Sequence, residues 1–475
     1  MINGRPKGGL LGAPKVLPGA KTPPAQFFNQ RLDHFNGDDF RTWKQRYFVN
    51  ETFVKLNGPI FVMIGGEGPA NPKWMIEGTW IEYAKIYGAI CVMLEHRYYG
   101  DSHPVGDLSL ENLKYLSSRQ ALADLAYFID WFKYNGYTSL NLSNSKVITF
   151  GGSYPGSLSA WFRSKYPYIV DGAVATSAPI YAQLDFKEYL SVVKDALDTT
   201  GPKCNEEIKN ATTTMYEWWG LREKRPQLES MFQLCDKINQ SNILDLYGFF
   251  SNTAANFENV VQYNKDNRAF EGAIGTDITL DTLCDIMTDF TRGTPIQRYA
   301  DVNTLILNTY SQPCLDYTYD NLIKDMRKTD WTSDAGEGGR QWMYQTCAEF
   351  GWFQSADYSN QPFGPSYTNP ANYSMLQCSD IYDKEFFYNI ANNVAETNRY
   401  YGGRDISVTK VVFPNGSVDP WHAMGVTKDI SSDATAIYIN GTAHCANMYP
   451  ARESDLPELV AARKHIADLI YKWIQ

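Results

Sequence analysis

The sequence predicts an α/β fold: a mostly parallel sheet with helices on its faces, interrupted by a mostly helical, disulfide-bonded insertion. Three observations carry this. Short apolar runs alternate with helical patterns through the first 180 residues, the mark of strands joined by crossover helices. The strand pattern then lapses for more than two hundred residues rich in aromatic residues, Asn and Asp, where six of the eight cysteines lie. It resumes near the end of the chain. The expected organisation is therefore a flexible N-terminal segment at 1–25, a core built from 26–180 and 405–475, and an insertion at 181–404.

Each core element has a local reason. Pro59 to Ile64, Ala89 to Leu94, Lys146 to Phe150 and Val170 to Ala175 are short apolar runs, most of them ended by Gly or polar turn residues, and read as buried strands. Ser117 to Tyr134 places Leu122, Leu125, Ile129 and Phe132 at helical spacing behind a Ser117/Gln120 capping box, with Gly136 as the stop, so it reads as a crossover helix. Lys410 to Pro414 and Ala434 to Ile439 complete the sheet. Pro457 opens a last helix with Leu459, Ala462, Ile466, Leu469 and Trp473 on one face.

Composition narrows the function. With 44% apolar and 20% charged residues over 475 positions, the chain has the balance of a globular protein with a large core. Its 43 Lys and Arg against 53 Asp and Glu give a net charge of -10, with no dense basic run, which argues against nucleic acid or an anionic membrane as partner. No apolar run nears the ~18 residues of a spanning helix. Met1 to Pro24 is rich in Gly, Pro and Lys and lacks the apolar stretch of a secretory signal. Export is nevertheless expected from the cysteines and from seven N-x-S/T sequons, at Asn50, Asn141, Asn210, Asn239, Asn372, Asn415 and Asn440, the first five taken as glycosylation candidates. Cys204, Cys235, Cys284, Cys314, Cys347 and Cys378 lack zinc or redox spacing and read as disulfide cysteines. Cys91 and Cys445 read as buried free thiols. No His/Cys/carboxylate cluster calls for a metal, and no cofactor is expected.

Chemistry concentrates at Lys146-Val-Ile-Thr-Phe-Gly-Gly-Ser-Tyr-Pro-Gly156. Ser153 there falls between a strand and a helix expected to start near Ser157. A nucleophile on such a turn needs small neighbours, and Gly151 supplies one. Position 155 is proline, with the second glycine one place late at Gly156. A serine hydroxyl also needs a base, and the base an orienting acid. Asp419 follows one late strand and His444 the next, the nucleophile-acid-base order of α/β hydrolases. Of the six histidines, His96 and His103 precede the serine, His422 comes too soon after Asp419, and His465 lies in the last helix; each reads as structural. The backbone N–H of Tyr154 and one from Gly65-Gly66-Glu67-Gly68, with Gly66 as donor, are the expected oxyanion contacts. Glu67, in the same loop, is expected to face substrate. That loop lacks the G-x-G-x-x-G spacing and lysine of a phosphate cradle.

Together with Gln30-Arg-Leu-Asp-His-Phe35, Glu95-His-Arg-Tyr-Tyr-Gly100, Leu116-Ser-Ser-Arg119, Tyr344-Gln-Thr-Cys-Ala-Glu-Phe-Gly351 and Asp419-Pro-Trp421, these pieces resemble the prolyl carboxypeptidase family of serine peptidases, most nearly its thymus-specific branch. The resemblance runs from about residue 26 to the end. It implies an α/β-hydrolase core with a helical cap over the active site, a Ser153-Asp419-His444 triad, and the pairings Cys204 with Cys284, Cys235 with Cys314 and Cys347 with Cys378. It also implies secretion or a lysosomal location, short peptide substrates with proline near one end, and a proline contact at Trp421. A homodimer is left open, as is the choice between amino and carboxyl ends of the substrate. The alternatives are an esterase or lipase on the same scaffold, since fold and triad do not choose the acyl donor, and a catalytically silent binding protein.

Overall fold

The structure is a computed structural model and describes residues 12–136, 140–265, 278–358 and 360–475. Ten strands run in chain order: β1 (Gln26–Arg31), β2 (Thr42–Asn50), β3 (Ile60–Ile64), β4 (Ile90–Leu94), β5 (Val147–Gly152), β6 (Gly172–Thr176), β7 (Gln183–Asp185), β8 (Gly351–Phe353), β9 (Val411–Gly416) and β10 (Ala434–Ile439). Eight form one sheet in the order β1-β2-β4-β3-β5-β6-β9-β10. β2 is antiparallel to both its neighbours, and every pair from β4 to β10 is parallel. This is an α/β-hydrolase sheet.

β3, β4, β5, β6 and β9 are buried along their whole length, as expected of parallel strands covered on both faces. On one face the crossover helix Ser118–Trp131 packs Leu122, Leu125, Phe128 and Ile129 into the core shared with Val62 and Val92. On the other, the last helix, Pro457–Ile474, packs Ile466, Ile470 and Trp473 against Ile148, Val174 and Val412. Its proline stands in the first turn, where the missing N–H has no intrahelical partner to lose.

Three expectations change in detail. β1 and β2 are strands that the apolar pattern does not announce. Their inward positions include Gln30 and Gln45, both buried; Gln30 donates to Gln45 Oε1 at 2.9 Å and Gln45 to the Glu95 carbonyl at 2.7 Å. The Ser117 cap is half a capping box: its hydroxyl accepts from Gln120 N–H at 3.2 Å, but the Gln120 side chain turns instead to Asp33 and the His34 N–H. The helix after Ser153 begins at Tyr154 rather than near Ser157.

Between β7 and β9 the described residues hold ten α-helices, from Glu188–Asp198 to Glu385–Tyr401, and β8, which pairs with β7 alone. Three disulfides tie this stretch: Cys204–Cys284, Cys235–Cys314 and Cys347–Cys378. Cys91 and Cys445 are buried free thiols. Glu349 joins the insertion to the core, its carboxylate accepting from the Ser118 N–H at 2.9 Å and hydroxyl at 2.6 Å at the start of the crossover helix. Of the segment 1–25, residues 1–11 lie outside the described residues. The Gly12 carbonyl accepts from the Tyr449 hydroxyl at 2.9 Å. No helix among the described residues is long and apolar enough to cross a membrane.

Candidate active site

The expected catalytic, oxyanion and substrate residues all lie past the carboxyl ends of parallel strands, where open α/β sheets leave their crevice. Ser153 leaves β5 with φ 62° and ψ -128°, a region that residues with a side chain rarely enter and that costs about 1–3 kcal/mol. The surroundings enforce it. A Cβ on Gly151 would stand 2.0 Å from the Pro155 carbonyl oxygen, and one on Gly156 2.5 Å from that of Thr176. The late glycine is thus the position where the helix passes β6, and Pro155 is harmless because it sits in the helix's first turn. Ser153 N–H donates to the Thr176 carbonyl at 2.9 Å.

Asp419 and His444 are both fully buried, and His444 Nδ1 lies 2.8 Å from Asp419 Oδ1. The same oxygen accepts from Trp421 N–H at 2.9 Å, which fixes the carboxylate and leaves Nδ1 as the donor. Burial opposes a charge on this imidazole, but the Asp419 carboxylate and Cys445 outweigh it and hold His444 well above its ordinary value. A carboxylate that favours the imidazolium is what a base needs while it carries a proton.

The end of β6 ties the two halves of the site together. Thr176 accepts Ser153 N–H on its carbonyl and Asn447 Nδ2 on its hydroxyl at 3.0 Å, while Ser177 Oγ accepts Cys445 N–H at 2.9 Å. The insertion contributes Gln262, the last residue of the helix Ile243–Gln262, which sequence reasoning missed. Its carbonyl accepts His444 N–H at 2.9 Å, and its side-chain oxygen accepts from Trp421 Nε1 at 3.1 Å and the Tyr189 hydroxyl at 2.5 Å. A lone glutamine at a helix end carries no sequence signal for this.

Tyr154 is the first residue of its helix, so its N–H has no acceptor within the helix. Its hydroxyl accepts from Gln345 Nε2 at 3.0 Å and lies 3.0 Å from His96 Nε2. Burial pushes His96 down to about 4, which makes it a neutral structural imidazole. Gly66 follows β3 in a loop held by Glu95, whose carboxylate accepts Ala70 N–H at 2.9 Å and pairs with Arg46. Glu67 is buried in that loop. Trp421 is only 3% exposed, packed against Phe186, Tyr189 and Trp352, with its ring centroid 6.5 Å from that of His444. Elsewhere, His103 stacks on Trp331 at 3.8 Å, His422 faces the Gly416 carbonyl and His465 is exposed.

Among the described residues no group of three or more His, Cys, Asp or Glu side chains is placed to hold a metal ion. Two sequons are unsuited to carry a glycan in the fold. Asn50 is buried with its amide donating to the Met75 carbonyl at 2.7 Å, and Asn415 is buried with its amide on the Val426 carbonyl at 2.8 Å. Asn141, Asn210, Asn239, Asn372 and Asn440 are exposed.

Chemically, the site offers a hydroxyl on a strained turn and an imidazole fixed by a buried carboxylate. The family model and the curated relatives point to the same chemistry. The family model described as serine carboxypeptidase S28 matches residues 30–466. Human thymus-specific serine protease is 33% identical over 96% of this chain and 88% of its own length. Human lysosomal Pro-X carboxypeptidase is 29% identical over 97% and 90%. Among solved structures, the proline iminopeptidase of Mycobacterium smegmatis aligns over 94% of this chain and 98% of its own, at 10% identity and a TM-score of 0.35. The chain belongs to the S28 family of serine carboxypeptidases and is a serine-type peptidase.

Proposed function

We propose that the protein is an exopeptidase that cuts peptide bonds next to proline through an acyl-enzyme, with Ser153, Asp419 and His444 as its triad. The observation that carries this is the buried 2.8 Å contact of His444 Nδ1 with Asp419, anchored on the same strand end as the Ser153 elbow. Ser153 Oγ bonds to the substrate carbonyl carbon as His444 Nε2 takes its proton, and the N–H groups of Tyr154 and Gly66 receive the oxyanion. The imidazolium returns the proton to the leaving amine as the peptide bond breaks. Water then hydrolyses the ester by the same route.

Residues 181–404 act in this reading as a cap on the core formed by 26–180 and 405–475, restricting the site to chain ends, and Trp421 lends a flat apolar surface to a pyrrolidine ring. The disulfides and the exposed sequons fit a secreted or lysosomal protein. Mass spectrometry of products from short proline-containing peptides, with Ser153→Ala as control, tests the proposal. Cleavage beside proline that disappears in the variant is the expected result. Hydrolysis of simple esters without cleavage of any peptide would overturn it in favour of an esterase.

A further inference from the structure

The hydroxyl of Tyr154, the residue after Ser153, is a point where the insertion reaches the nucleophile turn. Tyr154 is 1% exposed, and its ring packs on Trp342 and Phe350 of the insertion at 5.6 and 5.4 Å between centroids. The hydrogen bonds on its hydroxyl have fixed directions. His96 Nδ1 lies 2.7 Å from the Arg97 carbonyl, which can only accept, so that nitrogen carries the proton and Nε2 of the neutral ring is an acceptor. The Tyr154 O–H therefore donates to His96 Nε2 at 3.0 Å and presents its lone pairs to Gln345. The Tyr99 O–H donates to Gln345 Oε1 at 2.6 Å, which turns Nε2 of the same amide to Tyr154, 3.0 Å away.

Gln345 is itself fully buried and held from both sides. It closes the insertion helix Arg340–Gln345, whose Arg340 donates to the Leu108 carbonyl at 2.9 Å and whose Gln341 donates to the Tyr98 carbonyl at 3.1 Å, both in the core. One turn further on, the Glu349 carboxylate accepts from the Gln345 amide as well as from Ser118. The amide thus spends both N–H groups and its oxygen, which leaves it one orientation. These contacts bear on one backbone group. Tyr154 opens its helix directly after a serine at φ 62° and ψ -128°, and its N–H is the expected oxyanion donor. The direction of that N–H is set by ψ of Ser153 and φ of Tyr154. Gly151, Gly156 and the Thr176 carbonyl confine the first, and a ring pinned at its far end confines the second.

We propose that Gln345 of the insertion is a positioning residue for oxyanion stabilisation, acting through the Tyr154 hydroxyl on the Tyr154 N–H, so that the catalytic centre is complete only with the insertion docked. The inference rests on the reading of Tyr154 N–H as an oxyanion donor. The test uses the full chain, a proline-containing peptide that it cleaves, and a peptide aldehyde and matching alcohol built on the acyl half of that peptide. Ser153 Oγ adds to the aldehyde carbon as its proton passes to His444, which leaves the aldehyde oxygen in the oxyanion position; the alcohol only fills the pocket.

Gln345→Leu is expected to lower kcat by about 30-fold, short of the about 100- to 1,000-fold of losing an oxyanion donor outright, with KM within about 3-fold. The inhibition constant of the aldehyde should rise by about the same 30-fold, and that of the alcohol should stay within about 3-fold. Tyr154→Phe, which removes a single oxygen, should behave alike, and it decides by the same readouts if circular dichroism shows Gln345→Leu to be misfolded. A folded variant whose kcat and aldehyde affinity stay within about 3-fold of wild type overturns the proposal. Equal weakening of aldehyde and alcohol also overturns it, because that marks a loosened pocket. Wild-type protein that binds the aldehyde no more tightly than the alcohol would instead remove the oxyanion reading of Tyr154, and this proposal with it.

Discussion

Replacing Asp419 by Asn tests what the buried carboxylate does, and the local geometry restricts the outcome. Asp419 Oδ1 accepts from both His444 Nδ1 and the Trp421 N–H, whereas Oδ2 is buried with no hydrogen-bond partner among the described residues. The asparagine oxygen therefore takes the Oδ1 position, because an NH2 there would face two donors, and the histidine keeps its tautomer. What is lost is the charge. At an effective dielectric of 20, a carboxylate about 4 Å from the imidazolium centre stabilises it by about 4 kcal/mol, which is about 10³-fold in rate. Because the carboxylate raises His444, and the base works only unprotonated, the acidic limb of kcat/KM should also move to lower pH in Asp419→Asn. Steady-state hydrolysis of a proline-containing peptide across pH gives both quantities. A variant within 10-fold of wild type, with its acidic limb unmoved, would refute this role for Asp419.

The remaining predictions concern the scaffold. Gly156→Ala should displace the Thr176 carbonyl that holds Ser153 N–H, since the new Cβ would lie 2.5 Å from it, and kcat should fall by about 100-fold; unchanged kinetics would mean that the elbow tolerates a side chain. Burial holds the Glu258 and Glu349 carboxyls up at about 7 from a usual 4.5. Raised carboxyl groups favour the protonated fold, so their contribution is greatest below about 4.5 and is lost as pH rises through about 7, by about 3 kcal/mol each. Thermal unfolding should therefore occur several degrees higher at pH 5 than at pH 8, and a reversed order would contradict the assignment. Disulfides closing 80, 79 and 31 residues each constrain the unfolded chain by about 4 kcal/mol, so reductant should lower the unfolding temperature markedly, a shift that calorimetry reads directly.

How far the sequence foretells this molecule depends on what each feature needs. The parallel strands announce themselves because both faces are buried, which makes β3 and β4 continuous apolar runs. β1 and β2 escape notice because their inward row includes Gln30 and Gln45, which satisfy each other and the Glu95 carbonyl; that pairing exists only after folding. Asp419 and His444 stand out in the sequence because chain order and strand ends restrict them, and the fold brings the two side chains to 2.8 Å. Pro155 and the displaced Gly156 look irregular until the helix is seen to begin at Tyr154, with its third residue against β6. Gln262 is invisible in the sequence, since its meaning comes from where an insertion helix ends, beside His444 and Trp421. The sequons show the converse: Asn50 and Asn415 match the tripeptide, yet their amides are spent on backbone carbonyls inside the fold.

The central claim is that Ser153 is the nucleophile, and the most direct measurement is intact-mass and peptide mapping of the folded protein after reaction with a fluorophosphonate. The account predicts one adduct, carried by Ser153 and abolished both by Ser153→Ala and by prior denaturation. A single adduct on any other serine, or none on protein that hydrolyses peptides, would contradict it.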